Sequence, residues 1–436
     1  MHLPIRLIVL VVAFISHERG GIAQYVQPYT SIVVPVNKHT DAAKPLYSVQ
    51  IMTAYVNSQY LKANFVIDID APLIWHDCIL QWNIYPGSCP SNTLCTSPVS
   101  CEEDYCTDVR TTYSYDNPSC SPVTNSSTLP GWGYCTCPVN VVCPVTGACV
   151  EALLNYDDFT VNTSNGRNVF SGLYGPSPNA ACAPSSSFES FPANVTGVMA
   201  FSSSPYALPA YLYQPLRKIL ALCLPSNLSA PGVLFFGTGP YYLLPHSDVD
   251  LRSLLSYTPL LKQPDSFGYF IGVKAIVIKE ISINIPEDTT TKLSTTEPYT
   301  TLRTDIYNRV VYTFSIAAIG IPRSKPVAPF SLCFRTFGID NGVGLKVPDI
   351  DFSLPDGKKW TISPANSMKQ ITKDFGCLAI LDGGASSEHA IVIGTFQFED
   401  NFLVFDLENS TFGFSSSLLG EQTSCANFNF TLTDLS

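Results

Sequence analysis

Asp68 closes the apolar run Phe65-Val66-Ile67, and Leu73-Ile74-Trp75 resumes it a few residues later. A carboxyl group carried to a strand end in this way suits one chemistry in particular. Two such groups held side by side cannot both ionise, so they share one proton and together activate a water molecule. The turn after each acid must be tight enough for the two to meet, which favours glycine, whose missing side chain permits close approach. Ile69 and Asp70 stand there instead. A second strand of the same kind, Leu378-Ala379-Ile380-Leu381, runs into Asp382-Gly383-Gly384. Asp68 follows the expected mature start by about 45 residues, whereas about 54 remain after Asp382, too few to complete a lobe of ordinary size. Asp382 is therefore read as a strand end entering a glycine turn.

The frame around Asp68 resembles the first active-site strand of the pepsin-like proteases, in which two Asp-Thr/Ser-Gly loops, one per lobe, supply the paired acids. The resemblance implies a counterpart in a second lobe, and residues 292 to 302, Lys-Leu-Ser-Thr-Thr-Glu-Pro-Tyr-Thr-Thr-Leu, fit that place. Ser294 stands where the second acid belongs, and Thr296 replaces the glycine. A serine hydroxyl is a donor and acceptor but not a carboxylate, so no proton can be shared. Asp68 and Ser294 are thus expected to be degenerate positions of a site that does not catalyse, with Asp68 kept as a hydrogen-bonded structural residue and Asp70 facing solvent or its neighbour.

Residues 1–23 read as a secretory signal, with an apolar run from Leu7 to Ile15 and the small-residue pattern Gly21-Ile22-Ala23 before Gln24. That run of about 9 residues is shorter than the roughly 20 needed to span a bilayer. No later segment qualifies, so no membrane contact is expected. Loss of the signal removes Arg6, Arg19 and Glu18 and makes the net charge of −11 one unit more negative, which argues against nucleic acid as a partner. Charged residues are only 14% of the chain, and six Asn-x-Ser/Thr sequons, at Asn125, Asn162, Asn194, Asn227, Asn409 and Asn429, offer sugar as a solubilising alternative. Ten of the fifteen Cys fall between Cys78 and Cys149. Oxidised pairing is the natural reading for a secreted chain, at about 2–4 kcal/mol per bridge. The six His are scattered, and only His76 neighbours the Cys cluster, so neither a metal site nor any other cofactor is expected.

More than 400 residues exceed one hydrophobic core, and short apolar runs bounded by Gly, Pro, Asn or Asp dominate. The class is all-β, with strands expected at 49–56, 65–69, 233–236 and 402–405 and the longest pattern at 269–285, where Ile281, Ile283 and Ile285 alternate with polar residues. Helices are expected at 304–319, capped by Thr304, and at 207–222, where Pro215 would kink it. The expected organisation is a signal at 1–23, a first lobe at 24–252 decorated by a Cys- and Pro-rich insertion at 78–150, and a second lobe at 253–436.

Several further segments carry a more specific resemblance: Ile-Val-Val-Pro-Val (32–36), Trp75-His76-Asp77-Cys78, Tyr-Phe-Ile-Gly-Val-Lys-Ala-Ile (269–276), Pro-Tyr-Thr-Thr-Leu (298–302) and Cys-Ala-Asn-Phe-Asn-Phe-Thr (425–431). Together they are similar to the plant extracellular dermal glycoproteins, the xyloglucan-specific endoglucanase inhibitors, the cereal xylanase inhibitors of this fold and the basic seed globulins. These are two-lobed, pepsin-like and non-proteolytic. The resemblance implies a secreted glycoprotein of the apoplast or cell wall, disulfides Cys333–Cys377 and Cys223–Cys425, and Cys89 and Cys95 as additions to a pattern of twelve Cys. It further implies a protein partner, a microbial glycoside hydrolase whose cleft is occluded. Such clefts carry two carboxylates, which the planar fork of an arginine can bind. Arg323, stiffened by Pro322 and Pro326, matches one partner-binding arginine of the endoglucanase inhibitors. The place of a second is taken by Glu421 and Gln422, neither of which is cationic, and this weakens the inhibitor reading relative to the fold. The alternative is a seed-globulin-like protein that binds or stores a peptide or carbohydrate in the former cleft.

Overall fold

The computed structural model describes residues 29–55, 59–81, 89–90, 93–112, 120, 135–175, 177–212, 216–335 and 346–433. Strands dominate it. Gly232–Gly237, buried along its whole length, lies antiparallel to Ser31–His39 on one side and to Ile219–Cys223 on the other. The β-branched and aromatic side chains of these runs suit a sheet covered on both faces. Ile219–Cys223 pairs in turn with Phe402–Asp406, and Ser256–Pro259 with Thr411–Phe414, so the chain end returns to the sheet of the first half. The Cys223–Cys425 disulfide fastens that return.

Within each half, four strands repeat one arrangement. In the first they are β1 (Gln59–Asp68), β2 (Trp75–Asp77), β3 (Asn179–Ala183) and β4 (Val195–Ala200). β4 lies parallel to β1 and antiparallel to β2, and β2 lies parallel to β3. In the second half they are β5 (Thr291–Leu293), β6 (Thr300–Leu302), β7 (Ile380–Asp382) and β8 (Ile391–Ile393). β8 is parallel to β5 and antiparallel to β6, and β6 is parallel to β7. The fourth strand of each set threads between the first two, placing the loop after β1 and the loop after β5 in equivalent positions. One apolar core joins the halves, with Ile67, Ile69 and Phe201 in the same cluster as Tyr269, Leu293 and Phe405.

Some elements differ from the sequence-based expectation. The 269–285 pattern is three strands, Ser266–Ile271, Ala275–Ile278 and Ile281–Asn284, because Lys279 and Glu280 take left-handed φ values of 43° and 71° and turn the chain. Ile283 and Ile285 are buried, but Ile281 is exposed. No helix spans 207–222. Leu208–Tyr211 is a single 3-10 turn with a proline at its start, and Ile219–Cys223 is a strand whose two edges are both paired, which overrides helical periodicity. The Cys-rich segment holds an unforeseen helix, α1 (Asp104–Thr112), pinned by Cys106–Cys137. Helix α2 (Thr304–Ala317) buries Ile306, Tyr307, Val310 and Phe314. Thr304 is its first residue, not its cap, and donates to Asp382 Oδ1 at 2.6 Å.

Seven disulfides form. Cys89–Cys95, Cys101–Cys135, Cys106–Cys137 and Cys120–Cys149 staple the Cys-rich segment internally, and Cys78–Cys182 ties its start to β3. Cys333–Cys377 joins two paired strands of the second half. Cys143, buried, is the unpaired one.

Candidate functional site

The two equivalent loops meet at the junction of the halves. Asp68 Oδ1 accepts from the N–H groups of Asp70 at 2.8 Å and Ala71 at 3.0 Å. Ser294 Oγ accepts from the N–H groups of Thr296 at 3.3 Å and Glu297 at 3.1 Å. Each side chain thus closes its own loop through the N–H groups two and three residues ahead, a local turn bond that Ser and Asp can both make. Neither loop needs a charge to fold. Asp68 Oδ2 makes no hydrogen bond among the described residues. Burial, and then the charge of Asp70, push the Asp68 carboxyl up to about 6 against the pull of the two N–H groups and Lys292.

Thr295, next to Ser294, reaches across the junction. Its Oγ1 donates to Ile67 O at 2.8 Å and accepts from Ile69 N–H at 3.2 Å. The equivalent residue in the first loop is Ile69, which has no hydroxyl to return the contact, so the cross-link runs one way. Thr295→Val keeps the shape but leaves a buried carbonyl and a buried N–H without partners. It should lower the unfolding free energy by about 1–2 kcal/mol in urea titration. A change below a few tenths would show that the hydroxyl is dispensable.

Asp70 does not simply face solvent. It forms an ion pair with Lys292 on β5 and accepts from Ser266 Oγ at 3.3 Å. Gly268 leaves room for it, since a Cβ there would lie 2.2 Å from Asp70 Oδ1. A second bridge between the halves runs from Lys38 Nζ to Glu399 Oε1 at 2.8 Å, where Tyr47 OH also donates at 2.7 Å. Thr295, Lys292 and Glu399 escaped sequence reasoning because their partners lie more than 200 residues away; the only usable signal was the hydroxyl beside Ser294.

Asp382 ends β7, not β1 or β5, and its Oδ1 is occupied by Thr304 and by Gly384 N–H at 2.9 Å. It is a turn residue at the start of α2. Arg323 is exposed on the short strand Arg323–Ser324, which pairs with Cys333–Arg335 and is braced by Arg335 N–H donating to Pro322 O at 2.8 Å. Glu421 ends a 3-10 turn and Gln422 follows with a φ of 55°, both exposed. No hydrogen bond or ion pair joins either to Arg323 among the described residues. Of the sequons, Asn194, Asn227, Asn409 and Asn429 are exposed, Asn162 is half-buried within Phe159–Ser164, and Asn125 lies outside the described residues. Among the described residues no His, Cys, Asp and Glu group is arranged to hold a metal ion, and no helix is long and apolar enough to cross a membrane.

A repeated four-strand unit in each half, with the two loops abutting, defines the pepsin-like, aspartic-protease class of fold. Within it the chain belongs to the xylanase inhibitor family: the xylanase inhibitor N-terminal model matches residues 51–238 and the C-terminal model residues 268–416. It is 33% identical to the protein named Chitinase CLP of Oryza sativa subsp. japonica, over 90% of each chain. It is 34% identical to Gamma conglutin 1 of Prunus dulcis, over 92% of this chain and 89% of that one. Two further relatives carry the name probable aspartic proteinase. The crystal structure of edgp superposes with a TM-score of 0.77 at 31% identity, covering 92% of this chain and 98% of that one.

Proposed function

We propose that this chain is a secreted, non-proteolytic member of the family that inhibits a microbial cell-wall-degrading glycoside hydrolase, of the xylanase or xyloglucan-specific endoglucanase type, by occluding its cleft. Arg323 carries the reading. It is an exposed guanidinium, unpaired by any carboxylate among the described residues, on a short strand paired with Cys333–Arg335, whose Cys333 is disulfide-bonded to Cys377. Its donor fork suits the two carboxylates of a glycosidase cleft. Glu421, at the other candidate contact, carries the opposite charge and contributes repulsion there. The absence of proteolysis is supported by Ser294, whose Oγ is engaged as the acceptor that closes its loop. Secretion is supported by the seven disulfides. The sequence boundary near 252 is proposed as the division between lobes, with the strands at 402–433 returning to the first.

The test is a titration of the purified protein against a panel of microbial xylanases and xyloglucanases. Inhibition by the wild type, weakened about 10-fold in Arg323→Ala, is the expected result. No inhibition at micromolar excess would reject the proposal. A second reading, a peptide- or carbohydrate-binding protein of the seed-globulin kind, is favoured by Oδ2 of Asp68, which has no hydrogen-bond partner among the described residues. Binding that responds to Asp68 and ignores Arg323 would select it.

A further inference from the structure

Helix α2 changes character along its outward face. Its first turns show solvent Asp305, Asn308 and Arg309, whereas its last turns show Tyr312 and Ile316, 68% and 43% exposed, and Ile319, 86% exposed, follows in the turn after the helix. Tyr312 and Ile316 lie four residues apart on one helix face, and the turn in which Ile319 N–H donates to Ile316 O keeps Ile319 next to them, extending the stripe. The inner face of the same helix is already committed to the core through Ile306, Val310 and Phe314. Tight turns then carry the chain onward, with Ile319 N–H donating to Ile316 O and Ile321 N–H to Ala318 O, and Arg323 follows four residues after Ile319. Pro322, Pro326 and Pro329 are exposed in the same segment, as are Arg323 and Lys325. Neither cation has an ion-pair partner among the described residues, in a chain with a net charge of −11. Free cations beside an apolar stripe, on an otherwise acidic protein, are complementary to a partner that is acidic in its cleft and apolar at its rim.

We propose that the Tyr312–Ile316–Ile319 stripe is the apolar half of the inhibitory interface and seats on the rim of the hydrolase cleft that receives Arg323. This rests on the inhibitor reading above and deepens it: the stripe supplies affinity through burial of large side chains, while the cations supply orientation and rate of encounter. The division of labour is measurable. Surface plasmon resonance would compare the full-length protein, Tyr312→Ser/Ile319→Asn and Arg323→Ala against the xylanase or xyloglucanase that the wild type inhibits best, at two salt concentrations. Thermal melts would establish that the variants fold.

The double variant should lose about 30-fold in affinity, through faster dissociation, and keep the wild-type dependence on salt. Arg323→Ala should instead flatten the salt dependence. Wild-type affinity in a folded double variant overturns the stripe and leaves the inhibitor reading standing. Failure of the wild type to bind any hydrolase overturns both. Sedimentation showing a wild-type dimer that the double variant abolishes would assign the stripe to self-association and overturn it as a docking face for the hydrolase.

Discussion

Asp157→Ala should lower the unfolding free energy by about 3–5 kcal/mol near pH 5.5 and by clearly less near pH 9. Asp157 Oδ2 lies 2.7 Å from His76 Nε2, and both side chains are only 2% exposed. The other ring nitrogen, Nδ1, faces Asp77 O at 3.0 Å. A carbonyl only accepts, so Nδ1 carries a hydrogen, and Nε2 carries the other toward the carboxylate. The edges of Phe65 and Phe159 wall the ring, at centroid distances of 5.8 and 6.5 Å. Burial works against the imidazolium, but Asp157, then the Asp77 carbonyl and carboxylate, outweigh it and hold the pKa above its ordinary value of 6.5. A histidine whose folded pKa is raised contributes stability that is complete below the unfolded value and disappears as pH rises through the folded one. Removing Asp157 leaves the imidazole to be buried without its partner, and the penalty is largest where the unfolded chain would be protonated. Guanidinium denaturation of both proteins at the two pH values checks this. An equal gap at both would mean that the pair is not ionic.

Asp68→Asn should stabilise the protein at pH 7.5, by about 2 kcal/mol, and have little effect at pH 3.5. The carboxyl is raised from 3.8 to about 6 by burial and by Asp70. Such an acid imposes no penalty where it is protonated in both states, below about 3.8. The penalty grows as pH rises from the unfolded value of 3.8 to the folded value of about 6 and is constant above it. A displacement of this size corresponds to about 3 kcal/mol at full strength, and the half-buried position of Asp68 reduces it through solvent screening. Asparagine retains the oxygen that accepts from Asp70 and Ala71, so the loop survives while the charge is removed. Melting temperatures across pH 3.5 to 7.5 test the sign. A loss of stability at pH 7.5 would show that Asp68 is held there as an anion by a partner such as Lys292.

Local patterns told much of the fold. The run before Asp68, the alternation that buries Ile283 and Ile285 but not Ile281, and the inner face of α2 reflect side-chain period against a single buried face, and that information is present in a dozen neighbouring residues. Where context outweighed pattern, the reading failed. Residues 219–223 have helical spacing but lie between two strands, and α1 is pinned by a disulfide more than by an apolar face. The candidate site was legible on the same terms. Asp68 could be found from its flanks and Ser294 from the resemblance those flanks carry, but their roles as loop-closing acceptors could not, because those depend on which N–H groups the turn presents.

Composition, the clustering of Cys and the strand pattern by themselves determined an all-β chain, too large for one core and held by cross-links. Only the tertiary structure decided that Asp157 pairs with His76, that Thr295 grips the strand ending in Asp68, that Cys78 reaches Cys182, and that residues 402–433 return to the first half. The physical reason is range. Periodicity and turn chemistry act over a few residues and leave a mark at fixed spacing, whereas a hydrogen bond, charge pair or disulfide between distant segments depends on sheet register and chain crossing, for which no spacing rule exists.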